Sequence, residues 1–341
     1  MLRINISDLN GLYNKISEKY PLYLPIKKAG EVNFGLYEEG AEVCLSVLKT
    51  NKSPKDAFFP QSEDLMKFKI DGQKIEIIDV REEKKPFVVM GVRACDYKAF
   101  DVLDRVFLTD PIDTYYESRR QAGVVVTLAC GRPEESCFCG AFGIDPTDPA
   151  GDVTAWLTDK YLYLRANTDK GSELLSQVTE LAEETDGKET EEQKEAVKNV
   201  LEKLPFNKLD PKVFDESMME LFNDGKWNEL SEACLGCGTC TFVCPTCQCF
   251  DIKEFCTNDG VKRFRCWDSC MYKDFTKTAG GQPRTTQMQR FRQRFMHKLV
   301  YYPKNNDGLY SCVGCGRCVK KCPQHLNIVK VIKAFGGDTN E

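Results

Sequence analysis

The chain has 341 residues, enough for two or three domains with their own cores. Lys and Arg number 47 against 52 Asp and Glu, a formal net charge of −5, which excludes the basic surplus of a dedicated nucleic-acid binder. Only two His occur, and there is no G-x-x-x-x-G-K-[ST], G-x-G-x-x-G or H-E-x-x-H run, so His-rich metal chemistry, self-contained nucleotide use and zinc hydrolysis are unsupported.

Residues 7–19 predict a short helix, capped by Ser7, with Leu9, Leu12 and Ile16 on one face. Short β-prone pieces follow at 22–26, 32–37, 68–70 and 75–80. Residues 87–92 and 123–129 are continuous apolar runs and read as buried strands, with a helix over 96–107 between them. A third strand is expected over 161–165. Strand, helix, strand with apolar strands predicts a parallel pair covered on both faces, hence an α/β domain over 1–170. Residues 171–225 read as a helical, acidic connector. Its most solvated stretch is expected at 183–192, and a helix at 211–223 starts on Pro211 with Asp210 as cap. Residues 226–341 predict an α-helical, ferredoxin-like domain, so the fold class is α+β. Within it, 286–299 predicts a helix with Met288, Phe291, Phe295 and Leu299 as an apolar stripe.

The last domain carries the sharpest signal. Cys234-Leu-Gly-Cys237-Gly-Thr-Cys240-Thr-Phe-Val-Cys244-Pro245 and Cys312-Val-Gly-Cys315-Gly-Arg-Cys318-Val-Lys-Lys-Cys322-Pro323 are two C-x2-C-x2-C-x3-C-P runs. Bacterial-type ferredoxins hold 4Fe–4S clusters at this spacing, and the fourth Cys of each run reaches the other cluster. Cys234, Cys237, Cys240 and Cys322 are therefore assigned to a first cluster, and Cys312, Cys315, Cys318 and Cys244 to a second. Gly236, Gly238, Gly314 and Gly316 let the backbone approach the cubes. Structural zinc sites pair two C-x2-C knuckles per ion and leave a third Cys at this spacing without a task.

Eighteen Cys less these eight leaves ten. Cys95 follows one buried strand, and Cys130, Cys137 and Cys139 follow the other. If the strands are neighbours, their C-terminal ends bring the four thiols to one rim, where parallel sheets place their ligands. Two readings stand on spacing alone: a third 4Fe–4S cluster, or buried free thiols acting as small hydrophobes. Cys247, Cys249, Cys256, Cys266 and Cys270 surround the first run and the insertion after it. Packing or sulfur hydrogen bonding is the first reading for them and a further metal the second, while Cys44 reads as a core thiol. Arg284, Arg290, Arg292, Arg294 and Lys298 read as a solvated helix face, or as a docking surface for an acidic electron-transfer partner. With no apolar signal core in residues 1–20 and no apolar run of bilayer length, the expected compartment is the reducing cytoplasm.

Gly91-Val-Arg-Ala-Cys95-Asp96, Ser136-Cys137-Phe-Cys139, Cys244-Pro-Thr-Cys247-Gln-Cys249, Trp267-Asp-Ser-Cys270, Ala279-Gly-Gly281 and the second cluster run occur in this order. On these pieces the chain resembles, over nearly its whole length, the iron–sulfur beta subunits of soluble cytoplasmic sulfhydrogenases and the A subunits of anaerobic sulfite reductases. The resemblance implies an electron wire between a flavin subunit that handles NAD(P)H and a catalytic subunit of nickel–iron, sirohaem or heterodisulfide-reductase type. It also implies that Cys95, Cys130, Cys137 and Cys139 hold a third cluster. No acid, base or nucleophile is expected of such a subunit. The competing readings are a catalytic subunit, in which a cluster or the spare thiols bind a sulfur substrate, and a non-redox zinc scaffold.

Overall fold

The computed structural model describes residues 1–81, 85–215, 217–258 and 260–337. Its strands are β1 (Leu2–Asn5), β2 (Leu22–Lys28), β3 (Glu31–Leu36), β4 (Ser62–Asp71), β5 (Lys74–Asp79), β6 (Phe87–Val92), β7 (Gly123–Leu128), β8 (Val153–Leu157), β9 (Tyr161–Ala166), β10 (Glu183–Glu184), β11 (Phe250–Thr257) and β12 (Gly260–Trp267). Eight of them form one sheet in the order β10-β1-β9-β8-β7-β6-β2-β3. The central β2, β6, β7 and β8 are parallel to one another, and the flanking strands are antiparallel.

Both faces of this sheet are covered, which is why β6 and β7 are apolar and buried along their length. Helices α1 (Leu9–Ser17), α2 (Ala94–Phe107), α3 (Thr114–Ala122) and α4 (Asp169–Ser176) do the covering. Leu12 and Ile16 of α1 and Leu174 of α4 pack on Val88, Met90, Val124 and Val126. On the other face, Phe100, Leu103 and Phe107 of α2 and Tyr116 of α3 pack on Phe87, Val89 and Val125. Each such side chain stabilises the fold by about 1.5–3 kcal/mol relative to exposure.

Several elements depart from the sequence reading. The first helix does not start on Ser7: Asn5 caps a 3-10 turn at Ile6–Asp8, its Oδ1 accepting from Ser7 N at 3.0 Å, and α1 begins after that turn. The acidic stretch is not simply solvated. Glu183 and Glu184 form β10 on the sheet edge, where Arg3 pairs with Glu183 at 2.9 Å. Beyond them, α5 (Lys188–Leu201) buries Thr190, Val197 and Leu201. The helix expected over 211–223 is divided. Pro211–Phe214 is a 3-10 turn whose Asp210 cap accepts from Lys212 N at 2.9 Å, and α6 (Met218–Asn223) follows. Glu216 between them, and positions 338–341 of the last expected unit, lie outside the described residues.

The third part of the molecule is helical around Phe214, Leu221, Phe295, Leu299, Val331 and Ile332. It is built from α6, α7 (Lys226–Ser231), α8 (Thr239–Phe242), α9 (Gln287–Met296), α10 (Tyr302–Asn305), α11 (Arg317–Lys321) and α12 (Ile328–Ala334). Thr286 and Gln289 close a capping box on α9, as a helix start at 286 predicts, and a π-helical turn at His297–Tyr301 continues it. It is not purely helical, however. The insertion between the two Cys runs forms the β11–β12 hairpin, and β12 pairs with β4 to complete a second, antiparallel sheet in the order β11-β12-β4-β5. Residues 62–71 and 260–267 thus share hydrogen bonds across the expected domain limits. Arg265, Glu63, Arg119 and Asp113 form a buried charged network that fastens this sheet to α3.

Candidate metal centre

The first Cys run folds as a loop leading into α8, and the second as a loop leading into α11; the two helices pack against each other. This crossing returns Cys322, at the end of α11, to the opposite loop. Cys234, Cys237, Cys240 and Cys322 accordingly line one small pocket, walled by Met271, Phe291, Arg294 and Leu326. Gln287 Nε2 donates to Cys234 Sγ at 3.5 Å, Leu326 N to Cys322 Sγ at 3.3 Å, and Cys237 faces solvent. Burial pushes the Cys240 thiol up to about 11 against the pull of Arg294.

The second set is drier. Cys312 and Cys315 lie within electrostatic reach of both Cys318 and Cys244. Burial pushes Cys315 up to about 12, opposed by the Arg317 guanidinium, while Cys312 rises for the same reason against Lys298 and the Gly314 N–H. Cys240 and Cys318 lie close enough to act on each other, so the two sets are neighbours.

The third set assembles at the rim of the large sheet. Cys95 sits in the first turn of α2 just past β6, Cys130 just past β7, and Cys137 and Cys139 in the loop that follows. Cys139 lies within reach of Cys130 and Cys137, and Cys95 within reach of Cys139. Burial raises Cys130 to about 11 and Cys139 to about 12. Leu201 and Leu204, in and just past α5, pack over Cys137.

This rim is joined directly to the second Cys run. Phe138 N donates to Gly314 O at 3.0 Å. A Cβ on Gly314 would stand 2.3 Å from Phe138 O, and one on Gly316 2.1 Å from Ser136 O. Both glycines have positive φ, 59° and 74°, so the close approach and the turn need them. Asp96, next to Cys95, holds Arg317, next to Cys318, through two bonds of 2.6 and 2.8 Å, with both side chains almost wholly buried. Cys95 and Cys315 are within electrostatic reach of each other.

Buried cations show that these thiol sets fit an anionic group. Arg294 is 3 % exposed, lines the first set, stacks on Phe295 and leaves Nε without a partner. Lys298 is 4 % exposed and donates to Thr246 Oγ1 at 2.7 Å and Ser311 O at 3.0 Å beside the second set. Arg93 donates to the carbonyls of Leu45, Val47 and Ala129 beside the third. Among the described residues, none of Arg294, Lys298 and Arg93 has a carboxylate ion-pair partner. An unpaired buried cation is costly, and a ring of thiolates around a cluster would supply the missing negative charge. Among the described residues, no three His, Cys, Asp or Glu side chains converge closely enough for a single metal ion. The first set surrounds a space instead, as a cubane requires and a zinc ion does not.

The basic run does not form one solvated face, and only Arg284 and Arg292 of it are half-exposed. Arg290, Arg294 and Lys298 are buried, and Arg292 lies over Phe222 at 3.5 Å. Lys55 was not foreseen in any role. It is buried, donates to Cys244 O at 3.0 Å and Cys247 O at 2.7 Å, and lies over Trp267 at 3.8 Å. Of the other thiols, Cys256 is exposed on β11 and Cys44 is half-buried. Cys247 contacts Cys244, and Cys249 contacts Cys270.

Residues 233–326 match the family described as the 4Fe–4S dicluster domain. The chain is thus an iron–sulfur protein of the electron-transfer class. It is also similar, at 34 % identity over 326 residues, to the sulfhydrogenase 2 subunit beta of Pyrococcus furiosus, covering 94 % of this chain and 93 % of that one. The chain belongs to the family of iron–sulfur sulfhydrogenase beta subunits. No solved structure matches it. Among the described residues no helix is long and apolar enough to cross a membrane.

Proposed function

We propose that this chain is a three-cluster electron relay, the iron–sulfur subunit of a larger oxidoreductase. Cys234, Cys237, Cys240 and Cys322 would hold the first cluster, Cys312, Cys315, Cys318 and Cys244 the second, and Cys95, Cys130, Cys137 and Cys139 the third. Each cube supplies one-electron storage at a potential set by its surroundings. The protein's own residues do the tuning: Arg294, Lys298 and Arg93 favour the more negative, reduced state, and the dry walls at Phe291, Met271 and Leu201 keep water away. The observation that carries this reading is the contiguous placement of the three thiol sets, from the exposed Cys237 through the Cys240–Cys318 neighbourhood to the Gly314–Phe138 contact.

The partners that suit such a relay are a flavin subunit handling NAD(P)H and a catalytic subunit of nickel–iron, sirohaem or heterodisulfide-reductase type, in the cytoplasm. The relay is tested by adding NAD(P)H anaerobically to the chain alone and to the complex that copurifies with it. Bleaching of the visible iron–sulfur absorption is expected in the complex only, and the chain alone, reduced with an artificial donor, should leave sulfite and polysulfide untouched. Turnover by the isolated chain would instead make it a catalytic subunit.

A further inference from the structure

Cys249 and Cys270 belong to none of the three thiol sets, and the fold places them against each other. Cys249 immediately precedes β11, and Cys270 follows the end of β12 by three residues. Phe250 pairs with Trp267 as the first rung of the hairpin, and Asp268 N donates to Cys249 O at 2.9 Å. The hairpin base thereby brings the two thiols side by side, close enough for each to act on the other. The Cys270 loop is tied to the first cluster site as well. Ser269, fully buried, accepts from Thr241 Oγ1 at 2.8 Å, and Thr241 is the residue after Cys240 on α8. Met271, the residue after Cys270, lines the space ringed by Cys234, Cys237, Cys240 and Cys322.

A lone half-buried Cys is usually a small hydrophobe. Two thiols held side by side at the base of one hairpin are instead placed to join by thiol–disulfide chemistry. We propose that Cys249 and Cys270 form a dithiol–disulfide couple that exchanges two electrons with the relay beside its first cluster. On oxidation both S–H bonds break and one S–S bond forms. Two protons leave to water, and two electrons pass singly to two oxidised 4Fe–4S clusters. Reduction is the reverse, drawing one electron from each of two reduced clusters. The couple rests on the relay reading for its electron partners and adds a two-electron sulfur site to a chain of one-electron carriers.

The test uses the full chain with its clusters, poised anaerobically with dye mediators at a series of potentials. Samples are quenched in acid, their free thiols are blocked, and the protein is digested for peptide mass analysis. The peptides carrying Cys249 and Cys270 are expected to be joined at high potential and separate at low potential, the ratio changing tenfold per about 30 mV as a two-electron couple requires. In Cys270→Ser the joined peptide should vanish while iron and sulfide content stay unchanged. Blocked, unjoined thiols at every potential would overturn the proposal. So would loss of about four iron per chain in Cys270→Ser, which would make these thiols cluster ligands. Because the readout is peptide mass rather than cluster colour, failure of the relay would not be mistaken for failure of the couple.

Discussion

Asp96→Ala is expected to destabilise the folded chain by about 3–5 kcal/mol, the usual consequence of removing one partner from a buried ion pair. Asp96 and Arg317 are 2 % and 3 % exposed, and their two short hydrogen bonds connect the sheet rim to the second Cys run. Arg317 keeps further contacts, donating to Thr50 O at 3.0 Å and Thr50 Oγ1 at 3.3 Å, but neither acceptor carries charge. The carboxylate opposes the burial that would otherwise pull the Arg317 guanidinium down, and the net direction is upward. Without it the cation is left with only the thiolates near Cys315 to balance it, so the loss should fall toward the lower end when the clusters are bound. Chemical denaturation followed by cluster absorption and by circular dichroism measures this. A change within about 0.5 kcal/mol would show that the junction does not depend on the pair.

Arg294→Gln is expected to lower the reduction potential of the first cluster by on the order of 100 mV. Two unit charges about 5 Å apart at an effective dielectric near 20 interact by about 3 kcal/mol, the scale expected for a guanidinium lining the site. For a one-electron couple about 1.4 kcal/mol corresponds to 59 mV. The sign follows from charge: the reduced cluster is one unit more negative and loses more when the guanidinium is removed. Gln is shorter but keeps the Cβ–Cγ stem and a donor, so the substitution removes the charge with a modest loss of packing against Phe291 and Phe295. A redox titration followed by paramagnetic resonance reads the shift. An unchanged or raised potential would mean that Arg294 is not the balancing charge at this site.

Where sequence pattern and structure agree, the cause is local. The unbroken apolar runs at 87–92 and 123–128 can only be strands buried on both faces, and they lie side by side in parallel. The cysteine spacing likewise carries its own geometry, because a crossing of two short helices must return Cys322 to the first loop. The hairpin was not legible for the opposite reason. Its strand β11 is exposed and charged, and the partner of β12 is β4, about two hundred residues away, so no local period marks it. The balancing cations were legible in part. Arg290, Arg294 and Lys298 recur every four residues, one position ahead of Phe291, Phe295 and Leu299, which places them beside the apolar stripe instead of opposite it. Charge alone suggested solvent, whereas that spacing points inward. Lys55 and Arg93 had no such signal, since the backbone carbonyls they bind come from distant loops.

The account stands on three sets of four thiols each gripping a cube, and elemental analysis tests that most directly. Anaerobically prepared chain should contain about twelve iron and twelve acid-labile sulfide, and Cys137→Ser about eight of each. About eight in the unmodified chain, with Cys137→Ser no different, would remove the site at the sheet rim.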